Sequence, residues 1–251
     1  MGFLGAALLL SGTAARAADE ATTKQRIERR LDKAGLQEGA QIEVEVRGDA
    51  ATLRGVTMTL EAKREAGKLA KKEAKSVDNL LRVFPEPRPD NEVRDDARRA
   101  VLRYSYLSVF DSINLGVSDG VVTLQGSVRQ PMSHGDLEDA VARVPGVREV
   151  KNELHVQPNS IFDDKLRRQL YYAIYGDRLR QFAGNPAVAP VRIVVENGRI
   201  TLTGWVNSEV DRQVFGNMAR STLAFQVNNK LKVDGEAPEE DKAAPRDVIT
   251  I

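Results

Sequence analysis

The sequence has no cysteine and only two histidines, His134 and His155. Disulfides, thiolate metal sites, cysteine nucleophiles and acylated-cysteine anchors are thereby excluded together. Neither sign of charge prevails, since 37 Lys and Arg stand against 36 Asp and Glu for a formal net charge of +1. That is far from the surplus of a dedicated duplex-binding domain, and nucleic-acid binding is disfavoured. Aromatic residues are sparse at 5%, and no apolar run reaches the roughly 20 residues a membrane-spanning helix needs. What is present, 41% hydrophobic and 29% charged residues over 251 positions, is the composition of a chain that buries a core.

The first residues read as an address. Gly2 to Ala15 carry no charge, pass through Leu8, Leu9 and Leu10, and end at Ala15-Arg16-Ala17, after which Asp19 and Glu20 open a polar sequence. An apolar stretch of that length before an Ala-x-Ala site is the pattern of a secretory signal, so residues 1–17 are expected to be removed on export. No Lys or Arg precedes the apolar run, which departs from that pattern. The competing reading is a buried N-terminal helix.

The rest is a unit written three times. Thr52-Leu53-Arg54-Gly55, Thr123-Leu124-Gln125-Gly126 and Thr201-Leu202-Thr203-Gly204 are one motif. Each follows an apolar alternation, Ile42/Val44/Val46, Ile113/Leu115/Val117 and Val191/Ile193/Val195, whose period of two specifies a strand. Gly48-Asp49, Asp119-Gly120 and Asn197-Gly198 lie between, suited to tight hairpin turns. A Val-x-Asn-x-Leu-x-Val element starts 22 to 24 residues after each glycine, at Val77, Val150 and Val227. Helical patterns fill the intervals, over Leu60–Ser76, about His134–Arg143 and Ser208–Ala219, the last with Val210, Val214 and Met218 along one face. A further helix precedes each hairpin, marked by Ile27 with Leu31, Ala97 with Val101 and Leu166 with Leu170. The predicted fold class is α+β, three tandem α-β-β-α-β units, each a small three-stranded sheet packed by two helices. The boundaries fall at 22–84, 92–157 and 161–234, with a Gly-, Pro- and charge-rich tail over 235–251 that is expected to be disordered to about Arg246.

These residues resemble the BON domain, named for bacterial osmotically induced and nodulation proteins. The second copy fits best, with Gly146-Val147-Arg148-Glu149-Val150-Lys151-Asn152-Glu153-Leu154; the third replaces Gly-Val with Leu223-Ala224-Phe225, and the first, with Lys75-Ser76 before Val77, is the most divergent. The resemblance implies a periplasmic or outer-membrane-associated protein tied to osmotic and envelope stress. It also implies phospholipid or membrane-surface binding, with a chaperone-like or protein-interaction scaffold as the alternative. Lipid-anchored members carry a lipobox cysteine that is missing here, so the expected form is soluble in the periplasm and not lipid-anchored.

Structural roles compete with functional ones at the candidate residues. Gly55, Gly126 and Gly204 mark close packing or a bend in preference to a ligand contact. Asn79, Asn152 and Asn229 are expected on the sheet face opposite the Val and Leu residues or at its edge, bonding a neighbouring loop. Arg64, Lys68, Lys71, Lys72 and Lys75 fall along one side of a helix continued to Ser76, a basic stripe for anionic lipid headgroups or an acidic partner. The third copy has about ten extra residues near Gln181–Ala187, preceded by Tyr171, Tyr172, Tyr175 and Arg178; with Phe182 and Trp205 these form a partner surface or inter-domain packing. Asp95-Asp96 and Asp163-Asp164 are placed as corresponding acids ahead of the first helices, where the macrodipole favours them. No phosphate loop, metal cluster or nucleophile elbow is present, and the expected protein is not an enzyme and needs no cofactor or metal.

Overall fold

In the computed structural model the described residues are 7–38, 40–84, 88–176, 189–234 and 249–250. They divide into two compact units, residues 1–88 with 142–148, and residues 89–141 with 149–251. The first unit carries one sheet and the second carries two, and each sheet belongs to one copy of the repeat.

In the first copy, helix α1 (Ala7–Lys33) leads to a hairpin of β1 (Gln41–Arg47) and β2 (Ala50–Thr57). Helix α2 (Leu60–Ala70) then crosses back to β3 (Ser76–Asn79) and β4 (Arg82–Val83), which both run parallel to β2 on the side away from β1. β3 and β4 are thus one strand interrupted at Leu80-Leu81. A parallel return requires a crossover connection, and α2 supplies it. Ile27 and Leu31 of α1 are fully buried together with Leu53 of β2 and Ala66 and Ala70 of α2, so both helices pack on one sheet. Thr59 caps α2 by accepting from the Ala62 amide at 3.1 Å. α1 runs without a break through Ala17, the expected cleavage point. No described helix is long and apolar enough to cross a membrane.

The second copy repeats this order with α3 (Asp90–Leu102), β5 (Ser112–Ser118), β6 (Val121–Val128), α4 (Pro131–Ala142) and β7 (Glu149–Val156). The third does so with α5 (Ile161–Tyr175), β8 (Val191–Glu196), β9 (Arg199–Val206), α6 (Glu209–Arg220), β10 (Gln226–Asn229) and β11 (Lys232–Val233). In each, the hairpin is antiparallel and the last strand parallel. The turns at Asp119-Gly120 and Asn197-Gly198 have positive φ at both central residues, the twist-matched type that accepts Asp or Asn followed by Gly. Gly48 alone takes positive φ in the first turn, which makes it the other common hairpin type, with glycine at the first central position.

One helical expectation is corrected. α2 ends at Ala70 and not at Ser76, because Lys75 and Ser76 donate their amides to the Asp49 carbonyl and Ser76 enters the sheet. On α6 the Val210, Val214, Met218 line divides: Val210 and Val214 are 68% and 41% exposed, while Met218 packs against the core beside the buried Gly216 and Ala219. In the tail, β12 (Ile249–Thr250) pairs antiparallel with the outer edge of β5. The expected disorder over residues 235–246 lies outside the described residues.

Candidate functional site

The three repeated glycines are positions where a side chain has no room. Gly55, Gly126 and Gly204 have φ between +108° and +120°, and a Cβ on them would lie 1.9, 2.1 and 2.0 Å from the carbonyl oxygens of Gln41, Ser112 and Pro190 on the neighbouring strand. Such a φ also strains any residue but glycine.

The three asparagines form an identical clamp. Each donates from Nδ2 to a carbonyl of the crossover helix, Lys63 at 2.6 Å, His134 at 2.8 Å and Arg212 at 2.8 Å. Each accepts at Oδ1 from the amide two residues on, Leu81, Leu154 and Leu231, at 3.2–3.3 Å. This corrects the expectation that Asn lies opposite the apolar residues. A spacing of two keeps Val, Asn and Leu on the same face of a strand, toward the helix, and the partner is that helix and not a loop. Room for the amide comes from Gly67 and Gly216, where a Cβ would lie 2.7 and 2.6 Å from Nδ2. The second copy has Glu138 at that place, and its carboxylate accepts from Asn152 at 3.1 Å.

A second clamp has no motif of its own in the sequence. Asp90 accepts from the amides of Asp119 and Gly120 at 2.8 and 2.9 Å, Asp163 from those of Asn197 and Gly198 at 2.9 and 2.7 Å, and Glu20 from Gly48 at 2.6 Å. An acid in the first helix thus holds the hairpin turn in every copy. Asp163 therefore corresponds to Asp90 and Glu20, not to Asp95-Asp96, and it is fully buried. The signal was available, since all three stand seven residues before the buried Ile27, Ala97 and Leu170.

The residues of the basic stripe fall on successive stretches of the chain. Arg64 and Lys68 lie on α2, whereas Lys71 and Lys72 belong to the turn after it and Lys75 to the approach to β3. Lys75 is bound to Asp49 at 2.6 Å. That hydrogen bond holds the Asp49 carboxyl below its ordinary range and raises the Lys75 ammonium above its own. Lys68, Lys71 and Lys72 remain exposed.

The aromatic group of the third copy divides as well. Tyr175 is buried in the core with its hydroxyl bound to Val191, and burial pushes its pKa up to about 12. Tyr171 packs on Phe110 of the second copy at 5.7 Å between ring centres, while Tyr172 is exposed. Trp205 lies under Lys232, whose ammonium is 5.6 Å from the ring centre. Arg178 and Phe182 lie outside the described residues.

Within the second unit, a polar seam joins the second and third copies. Arg167, almost fully buried, donates to Gln157 at 3.0 Å, to Asp164 at 2.6 Å and to the Val195 carbonyl. Arg129 of β6's end reaches Asp164 at 3.2 Å, and the Ile193 amide donates to Val109 at 2.8 Å. Burial pushes the Asp164 carboxyl up, but the hydrogen bond from Arg167 and the charge of Arg129 outweigh it and hold the group below the usual carboxylate range.

The most unusual surface is the hairpin-turn end of the third copy. Phe162 and Phe225 stack with ring centres 5.4 Å apart beside Gly198, and the Phe225 amide donates to the Gly198 carbonyl at 2.8 Å. Phe225 is 79% exposed and Phe162 37%, and their neighbours Ile161 and Leu223 are 81% and 80% exposed. The fold does not require this. Counting from the shared Val of the last strand and the shared acid of the first helix, Phe225 corresponds to Lys75 and Arg148, and Phe162 to Asp19 and Pro89. Exposed cations stand nearby in sequence, Lys165 three residues after Phe162, Arg220 three before Leu223 and Arg199 directly after Gly198, and none forms an ion pair among the described residues. The sequence signal was the Leu223-Ala224-Phe225 departure from Gly-Val.

Elsewhere in the third copy, a cleft of about 350 Å³ opens between α5 and α6, lined by Ile174, Tyr175, Asp211, Val214, Phe215 and Met218. Among the described residues no group of three His, Cys, Asp or Glu is placed to hold a metal ion.

No curated protein matches the chain. Among solved structures, CdsD, a structural protein of the type III secretion system of Chlamydia trachomatis, is 16% identical at a TM-score of 0.24, covering 87% of this chain and 93% of that one. The PrgH periplasmic domain is 17% identical at a TM-score of 0.22, covering 81% and 98%. Superpositions this loose carry nothing about function. The family model of the BON domain matches residues 19–85, 89–158 and 178–235. With three matches over three sheets of one topology, the chain belongs to the BON domain family.

Proposed function

We propose that the protein is a non-catalytic, exported envelope protein that attaches peripherally to phospholipid surfaces through the hairpin-turn end of its third BON domain. The observation that carries this reading is the exposed cluster of Ile161, Phe162, Leu223 and Phe225, at positions where the other two copies have charged, small or turn-forming residues. A soluble surface seldom gathers four large apolar side chains at one end without a use for them. Full burial of one such side chain yields about 2 kcal/mol, so partial insertion of three widely exposed ones gives an attachment that is weak alone. Lys165, Arg199 and Arg220 add attraction to anionic headgroups, roughly 1 kcal/mol for each that reaches the surface. Export is supported by the N-terminal pattern and by a first family match that opens at residue 19, just past the expected cleavage point.

The test is co-sedimentation with vesicles of zwitterionic and of mixed anionic phospholipid. The full chain is expected to bind the anionic vesicles more strongly, and the double variant L223S/F225S to lose about 30- to 1000-fold in partitioning, as two insertions of about 1–2 kcal/mol each imply. Equal partitioning of the variant and the wild type would remove the tip from the account.

A further inference from the structure

The third domain does not complete its core from its own residues. Val109, in the second copy's loop between α3 and β5, is 4% exposed and lies in one core with Leu170, Val191, Ile193 and Leu202 of the third. Phe110 packs against the same core. The loop is also held through its backbone: its Val109 carbonyl accepts from the Ile193 amide at 2.8 Å, and its Ser108 carbonyl from the buried Arg192 at 3.2 Å. Gln157, buried just after β7, donates to the Phe110 carbonyl at 2.6 Å and accepts from Arg167 at 3.0 Å, which ties α5 to the same loop. The repeat does not require a buried cation at this place. Lys24 of the first copy stands where Arg167 does, four residues after the shared acid of the first helix; its side chain is 47% exposed and pairs with Glu28 of its own helix. Domains of one chain ordinarily move against each other unless their interface is large and apolar. Here the interface is part of a core.

We propose that the second and third BON domains are one cooperative body, in which the third keeps its native fold only while residues 107–111 and Gln157 of the second are docked on it. Undocking returns Val109 and Phe110 to water and takes from β8 the carbonyl to which its Ile193 amide donates. The exposed tip is thereby borne by two domains, because Phe162 and Asp164 share the first turn of α5 and Asp164 is held by Arg129 of the second domain. The proposal holds whatever the tip binds.

Trp205, the sole tryptophan, lies on β9 and reports on the third domain, whereas Leu137 is fully buried on α4 of the second. Urea unfolding of the full chain is followed by Trp205 fluorescence, and by amide exchange of β6 in the same solutions, for the wild type, L137A and the milder L137V. In the wild type the two midpoints are expected to coincide. L137A is expected to lower the Trp205 midpoint by about 1–2 M urea, although it changes no residue of the third domain, and L137V to lower it by less, with β6 following in step. A Trp205 midpoint that stays fixed in both variants while β6 exchange accelerates overturns the proposal. So does a wild-type chain in which β6 unfolds at a clearly lower urea concentration than Trp205 reports.

Discussion

Replacing Asn229 by alanine isolates the clamp that recurs in every copy. Two hydrogen bonds are lost, one from Nδ2 to the Arg212 carbonyl at 2.8 Å and one to Oδ1 from the Leu231 amide at 3.3 Å. Their consequences are unequal. The Arg212 carbonyl is in a helix and keeps its helical partner, so that loss is an ordinary bond of about 1 kcal/mol. The Leu231 amide belongs to a residue buried to 3% exposure and sits where the strand is interrupted, so it loses its acceptor without gaining water. An orphaned buried donor costs about 1–3 kcal/mol, and the sum is about 2–4 kcal/mol. In a unit of this size that lowers Tm by roughly 5–15 °C. Urea unfolding followed by circular dichroism measures it, with the slope unchanged if the variant unfolds from the same native state. N229D sharpens the test. As a carboxylate it still accepts from Leu231 but turns an acceptor against the Arg212 carbonyl; once protonated it donates there as the amide did. Its folded-state pKa therefore lies above the unfolded value, and stability relative to wild type is recovered below about pH 4 and lost as pH rises through the folded pKa. A cost for N229A below about 1 kcal/mol, or an N229D deficit independent of pH, would refute the clamp.

Other outcomes follow from the same geometry. G126A meets both a positive φ and the Ser112 carbonyl 2.1 Å from the new Cβ; a loss of about 3 kcal/mol or more in urea unfolding is expected, and a loss under 1 kcal/mol would show that β5 and β6 separate easily. D163N keeps one acceptor for the two turn amides of Asn197 and Gly198 and should cost about 1–2 kcal/mol, with amide exchange accelerated at that turn. Asp164, whose carboxyl is depressed by Arg167 and Arg129, contributes stability above about pH 4 that is lost as pH falls through its lower folded pKa; D164N should flatten the acid limb of the pH–stability curve, and an unchanged limb counts against the seam.

Much of the fold was legible because the repeat checks itself. A period-two strand, a two-residue turn and a Thr-Leu-x-Gly strand in three copies leave little freedom in the hairpin, and Ile27/Leu31, Ala97/Val101 and Leu166/Leu170 mark the inward side of each first helix. Helix ends were less legible. α2 stops at Ala70 because the Asp49 carbonyl draws Lys75 and Ser76 toward the sheet, a tertiary pull that a helical wheel cannot contain. The basic stripe was drawn on that wheel, and its residues lie on α2, on the turn after it and just before β3. Val210 and Val214 satisfied a helical period but lie on the outer side of α6, since a period marks a face without saying which face is buried. The exposed tip was visible only as a departure, Leu223-Ala224-Phe225 in place of Gly-Val. Its meaning required seeing Phe162, more than 60 residues away, stacked on Phe225.

The central claim, attachment through this tip, is tested most directly by placing the chain's sole thiol there. L223C labelled with an environment-sensitive nitrobenzoxadiazole fluorophore reports whether the position leaves water when vesicles are added, with the same label at Ser118 on the second domain's turn as reference. The account predicts a blue shift and a gain in intensity at residue 223 with anionic vesicles, and little change at residue 118. An unchanged spectrum at residue 223 under conditions where the protein co-sediments with those vesicles would contradict it.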